Sequence, residues 1–134
     1  LSDTIDYIAG HDGSRPLISE AQLGLVYQAA QSYQAATSAR PITETVKRGD
    51  DQLFTKESVC RKNLWAMETP QIFSSQLLKE AYQKVIQDDM LVTDEVSAVD
   101  HLHIATKLVT NQTPNPKITF PEDILLAELI LQSS

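Results

Sequence analysis

Apolar residues recur along the chain at two spacings, and the switches between them mark out the elements. The short run Tyr7-Ile8-Ala9 leads into His11-Asp12-Gly13-Ser14-Arg15-Pro16, an Asp-Gly turn closed by proline, and reads as the C-terminal end of a buried strand. From 18 to 36 the period becomes helical. Leu23, Val26, Tyr27 and Ala30 fall at i, i+3, i+4 and i+7, Ser19 and Gln22 have capping-box spacing, and Ile18 and Leu23 that of a hydrophobic staple. Ala35 to Ala39 predicts a short strand ending before Pro41. Thr43 to Arg48 and Gln52 to Val59, joined by Gly49-Asp50-Asp51, predict a polar hairpin with little apolar surface. An isolated hairpin is marginal in water, so this one is expected to lean on another surface, such as a second subunit.

Farther on, Pro70 in Thr69-Pro70-Gln71 argues against a regular helix through Leu64 to Phe73. Ser74 to Asp88 carries Leu77, Leu78, Ala81, Tyr82 and Val85 on one broad helical face, with Glu80 and Lys84 as an i, i+4 pair opposite. Thr93 is placed to cap a helix opening with Asp94-Glu95. Ile104 to Thr110 and Lys117 to Phe120 are strand-like. Pro121-Glu122-Asp123 then opens a last helix, apolar nearly all round from Ile124 to Leu131 and expected to be well buried. Alternation of this kind argues an α/β fold with a mostly parallel sheet, and 134 residues suit one domain.

Composition narrows the function classes. A formal net charge of −7 and a pI near 4.8 disfavour a nucleic-acid partner. One cysteine, Cys60, excludes an internal disulfide framework and any multi-cysteine zinc site. No run of about 18 apolar residues is present to span a membrane, and no signal peptide is visible. The first residue is Leu1 rather than Met, which suggests a piece of something longer.

Asp12 and Arg15 carry the most suggestive chemistry. They sit three residues apart at the kind of strand end where open α/β sheets bind ligands. A carboxylate can take a metal or a hydroxyl, and an arginine fork matches phosphate. The plain alternative is a turn pair. Arg61 and Lys62 read as a solvated basic pair, and Lys117 as either a protective lysine at a sheet rim or a phosphate contact. Thr45, Thr69 and Thr93 lie at element ends, where hydroxyls cap backbone or bind phosphate oxygens. His101 and His103 lack a completing metal ligand, and the acids from Asp88 to Asp100 lack a calcium loop. Neither a glycine-rich phosphate loop nor a nucleophile elbow occurs, and Cys60 reads as a passive thiol.

The order of these stretches is more specific than any one of them. His11-Asp12-Gly13-Ser14-Arg15-Pro16, Thr43-Glu44-Thr45-Val46-Lys47, Arg61 before Leu64-Trp65, and Thr69-Pro70-Gln71 come in turn. Thr93-Asp94-Glu95-Val96-Ser97, Asn115-Pro116-Lys117-Ile118-Thr119 and Pro121-Glu122-Asp123 complete the series. From about Tyr7 to Leu131 it resembles the C-terminal part of the 2-C-methyl-D-erythritol 4-phosphate cytidylyltransferase family.

The resemblance implies a Rossmann-like nucleotidyltransferase sheet in three α/β/α layers, with a hairpin arm at about 42–60 that serves homodimerisation. It implies CTP and 2-C-methyl-D-erythritol 4-phosphate as substrates, with Mg²⁺ as cofactor, in the bacterial cytoplasm or plastid stroma. Asp12 is expected near metal and substrate, Arg15 on the substrate, and Gly13 where backbone approaches the nucleotide. Arg61 and Lys117 would position the substrate phosphate, with Thr45, Thr69 and Thr93 adding contacts. Three departures stand out. The family's glycine-rich nucleotide loop lies N-terminal to everything here, Cys60 replaces a usual acid, and Pro116 replaces an apolar residue. The chain alone is therefore expected to be inactive, and either paired with another chain or poorly stable. A ribitol 5-phosphate cytidylyltransferase and a non-catalytic dimeric module remain as alternatives.

Overall fold

A computed structural model of the chain describes residues 6–132. Its strands are β1 (Tyr7–Gly10), β2 (Ala35–Pro41), β3 (Val46–Gly49), β4 (Thr55–Val59), β5 (Trp65–Ser74) and β6 (Lys107–Thr110). Its helices are α1 (Glu20–Tyr33), α2 (Ser75–Gln87), α3 (Glu95–Asp100) and α4 (Pro121–Gln132). Four strands form one sheet in the order β1-β5-β2-β6, while β3 and β4 pair separately.

The sheet is mixed, which corrects the expected mostly parallel arrangement. Strand β5 runs antiparallel to both β1 and β2, and only β2 and β6 are parallel. The reason is β5 itself. The stretch through Leu64 to Phe73, not assigned from the sequence, belongs to a central ten-residue strand. It returns from β2 by way of the β3–β4 hairpin, and a chain that returns without a helical crossover pairs antiparallel. Pro70, after a cis peptide with Thr69, lies beside the register shift between Thr37 and Ala39 of β2. Its missing N–H thus falls where the ladder is already interrupted.

Successive strand residues face opposite ways, and the two faces hold different cores. Ala35 and Phe73 pack with Leu77, Leu78, Ala81 and Val85 of α2 and with Ala98 and Val99 of α3, and Ile8 joins them. Their neighbours Ala36 and Ile72 pack with Val26 and Ala30 of α1, joined by Tyr7 and Val109. Helices therefore cover both sides of the sheet, in the three layers expected.

The serine caps follow the sequence, but the Gln22 side chain donates inward to Ser38 Oγ and the Val109 carbonyl, and the cap of α3 shifts by one residue. The Ser19 hydroxyl accepts the Gln22 N–H, and the Ser74 hydroxyl accepts that of Leu77. Gln34 ends α1 in the left-handed conformation (φ 72°). Asp94, not Thr93, caps α3, its carboxylate accepting the Ser97 N–H at 2.8 Å. An anion outcompetes a neutral hydroxyl at the positive end of a helix. Lys84 pairs one turn forward with Asp88 at 3.3 Å, while Glu80 accepts from Gln76.

Three further expectations are corrected. Strand β6 begins at Lys107 rather than Ile104. Residues 117–120 form no strand, because the Asp123 carboxylate takes the N–H groups of Thr119 and Phe120 into the entrance of α4. Those backbone hydrogen bonds also hold the Asp123 carboxyl below its ordinary pKa. Helix α4 is not well buried. Ala127 is its buried residue, whereas Leu125 and Leu129 are each 63% exposed. A helix apolar on every side can bury only the side that meets a neighbour.

Candidate functional site at the end of strand β1

Strand β1 ends at Gly10, and the turn beyond it closes when the Arg15 N–H donates to the Asp12 carbonyl at 3.0 Å. The Arg15 guanidinium is held from two sides. Its Nε donates to Asp12 Oδ2 at 3.3 Å, and its Nη1 to the Asn115 carbonyl at 2.7 Å. The ion pair is asymmetric in exposure, with the Arg15 side chain 14% and that of Asp12 39% accessible.

Thr69 of β5 pins the same turn. Its Oγ1 accepts the Asp12 N–H at 2.9 Å and lies 2.9 Å from His11 Nδ1, while His11 Nε2 lies 2.8 Å from the Arg15 carbonyl. A carbonyl can only accept, so Nε2 carries a proton; in the neutral form of the ring, Nδ1 then accepts from the Thr69 hydroxyl. The one Thr69 donor is then engaged. Its remaining lone pair can accept a hydroxyl proton but offers nothing to a phosphate oxygen.

Behind the turn lies a buried carboxylate that sequence reasoning did not single out. Glu68 is 5% exposed. Its Oε2 accepts from Arg40 Nε at 2.6 Å; its Oε1 accepts from the Ser38 hydroxyl and Asn111 Nδ2, both at 3.1 Å, and from Asn115 Nδ2 at 3.3 Å. Burial pushes the Glu68 carboxyl up, yet the hydrogen bonds from Asn111, Arg40 and Asn115 and the charge of Arg40 outweigh it. The group stays below its ordinary pKa. Asn115 Nδ2 also donates to the Thr69 carbonyl at 2.9 Å. Both its partners are acceptors, which fixes the amide orientation and leaves Oδ1 buried without a hydrogen-bond partner.

A cleft of about 220 Å³ opens at the turn, lined by apolar Ile8, Phe73 and Leu78 and by polar Asp12, Thr69 and Glu95. A second hollow of about 290 Å³ is bounded by Arg15, Arg40, Asn115 and the α4 residues Leu126 and Ile130. Lys117 is exposed and adjoins the turn, since the next residue, Ile118, donates its N–H to the Ser14 carbonyl at 2.7 Å. Thr93 is also exposed and stands two residues before Glu95 of the cleft. At Gly13 an added Cβ would meet nothing within 4 Å, so the backbone there is open to approach.

The structure thus gathers Asp12, Gly13, Arg15, Thr69 and Lys117 about one turn, with Thr93 near by. Thr45 and Arg61 are elsewhere. Both are exposed at the foot of the β3–β4 hairpin, where Arg61 donates to the Thr43 carbonyl. Among the described residues no group of three or more His, Cys, Asp or Glu side chains could hold a metal ion. Magnesium commonly takes one or two carboxylates and completes its shell with water and substrate phosphates. The partly exposed Asp12 carboxylate suits that mode, with Glu95 the other carboxylate lining the cleft.

The comparisons with known proteins agree with one another. A model of the family 2-C-methyl-D-erythritol 4-phosphate cytidylyltransferase matches residues 1–133. The enzyme of that name from Caldanaerobacter subterraneus is 36% identical over 95% of this chain and 56% of its own. The chloroplastic one from Oryza sativa is 34% identical over 94% of this chain and 42% of its own. The crystal structure of the Thermus thermophilus enzyme superposes with a TM-score of 0.85 at 28% identity, covering 96% of this chain and 63% of that one. This chain spans about half the length of the curated relatives it matches. It belongs to the 2-C-methyl-D-erythritol 4-phosphate cytidylyltransferase family.

Proposed function

We propose that this chain supplies the alcohol-phosphate side of a cytidylyltransferase. The phosphate of 2-C-methyl-D-erythritol 4-phosphate attacks the α-phosphorus of CTP, pyrophosphate leaves, and 4-diphosphocytidyl-2-C-methyl-D-erythritol forms. One observation carries the reading. A guanidinium already oriented by Asp12 and the Asn115 carbonyl stands at a strand-end turn, with the exposed Lys117 beside the same turn. Two cations converging on one anion is what phosphoryl-group transfer asks of a protein, since its catalysis is mostly positioning and charge neutralisation. In this reading Arg15 and Lys117 bind the substrate phosphate, and Thr69, whose donor is engaged, accepts from a substrate hydroxyl. Thr93 adds a rim contact, and Gly13 lets backbone approach the nucleotide. Asp12 would hold Mg²⁺, which neutralises charge on the nucleotide phosphates.

Thr45 and Arg61 act in this reading through homodimerisation, the hairpin carrying them toward a partner's site. The hairpin tip supports it: Leu53 and Phe54 are 92% and 70% exposed, more apolar surface than the sequence suggested. A second copy would cover them. No described helix is long and apolar enough to cross a membrane. A location in bacterial cytoplasm or plastid stroma belongs to the same reading, supported by relatives that are bacterial and chloroplastic.

The test joins this chain to the preceding portion of a relative and follows pyrophosphate release from CTP and Mg²⁺. Turnover is expected with 2-C-methyl-D-erythritol 4-phosphate, much less with ribitol 5-phosphate, and none from the 134-residue chain alone. Preference for ribitol 5-phosphate, or turnover by the isolated chain, would contradict the reading.

A further inference from the structure

We propose that Glu68 is the positioning residue for both cations of the alcohol-phosphate site, acting through Asn115 on Arg15 and through the same segment on Lys117. The inference rests on the functional reading above. Residues 111–116 lie between β6 and Lys117 and form neither helix nor strand. Beside an Asn111 N–H bond to the Ala39 carbonyl and the Asn115 bond to the Thr69 carbonyl, both at 2.9 Å, three ties run back to Glu68 or to its partner Arg40. Asn111 and Asn115 donate to the Glu68 carboxylate, and the Thr113 carbonyl accepts from Arg40 Nη2 at 2.6 Å. Asn115 then presents its carbonyl to Arg15, and Ile118 reaches Ser14. The path from Glu68 Oε1 to the Arg15 guanidinium crosses a single residue.

Without the carboxylate, Asn111, Asn115, Ser38 and Arg40 lose a common acceptor. Asn115 keeps only the Thr69 carbonyl, and Arg15 keeps its 3.3 Å contact with Asp12. A buried ion pair is weak evidence of a stabilising role, because well-packed apolar residues of similar volume often serve as well. What an apolar residue could not do here is gather donors from β2 and from the segment after β6 onto one point.

The experiment measures both Michaelis constants of the enzyme completed as above. Glu68→Ala is expected to raise KM for the alcohol phosphate about tenfold while KM for CTP stays within about twofold. Glu68→Gln, which keeps an acceptor oxygen for Asn111 and Asn115 but turns an NH2 toward Arg40, should recover part of the loss. Val85→Ala in α2 serves as a destabilised control and should leave both constants unchanged. If Glu68→Ala fails to fold, Asn115→Ala reads the same link and should give the same split. Unchanged constants, a parallel rise in both, or glutamine no better than alanine would overturn the inference. An unmodified enzyme that turns over neither alcohol phosphate would instead overturn the functional reading, and this inference with it.

Discussion

Arg15→Ala is expected to lower kcat/KM for the alcohol phosphate by about 10²- to 10³-fold, with KM for CTP little changed. The expectation comes from how the guanidinium is set. It is mostly buried, its Nε faces Asp12 and one Nη faces Asn115, so its remaining N–H groups are aimed without further ordering. A donor oriented before the substrate arrives costs nothing to reorganise during the reaction. Arg15→Lys should recover little, because the three donors of an ammonium radiate from one nitrogen and do not reproduce the planar fork that reaches Asp12 and the Asn115 carbonyl from two separate nitrogens. Steady-state kinetics with each substrate varied separately checks this. A change below threefold would mean that the anion binds elsewhere.

The largest effect on stability is expected from Phe73→Ala, at about 3–5 kcal/mol. Phe73 is 2% exposed, lies opposite Ile8 of β1 and Ala35 of β2, and packs with Leu77, Leu78 and Val85 of α2. It joins the central strand to two neighbours and one helical layer. Its two strand partners are fixed by backbone pairing and do not move in to fill the space. Against a typical total of roughly 5–15 kcal/mol, the loss is a large share. Urea unfolding should show a lower midpoint at unchanged slope. A loss under about 1 kcal/mol would show that this core is not the one that holds the sheet together.

How much was legible in the sequence depends on whether an element's partners lie within it. Helices α1 and α2 carry their own periodicity and serine caps, and both formed close to the expected bounds. Strand β5 does not. Its proline reads as an interruption and its glutamate goes unmarked until the register shift in β2 and the donors on Ser38, Arg40, Asn111 and Asn115 explain them. Those donors come from positions 28 to 47 residues away, a distance no local pattern spans. The apolar run of α4 was visible, but a run alone says nothing of whether a neighbour is present to cover it. Asp12 and Arg15 were visible as a turn pair, whereas the placing of Lys117 beside that turn came from a backbone bond, Ile118 to Ser14.

The most direct test of the account is a crystal structure of the enzyme, completed as above, with 2-C-methyl-D-erythritol 4-phosphate bound. The phosphate is expected within hydrogen-bond distance of both Arg15 and Lys117, in front of the Asp12 turn. A phosphate seated away from that turn, touching neither cation, would contradict it.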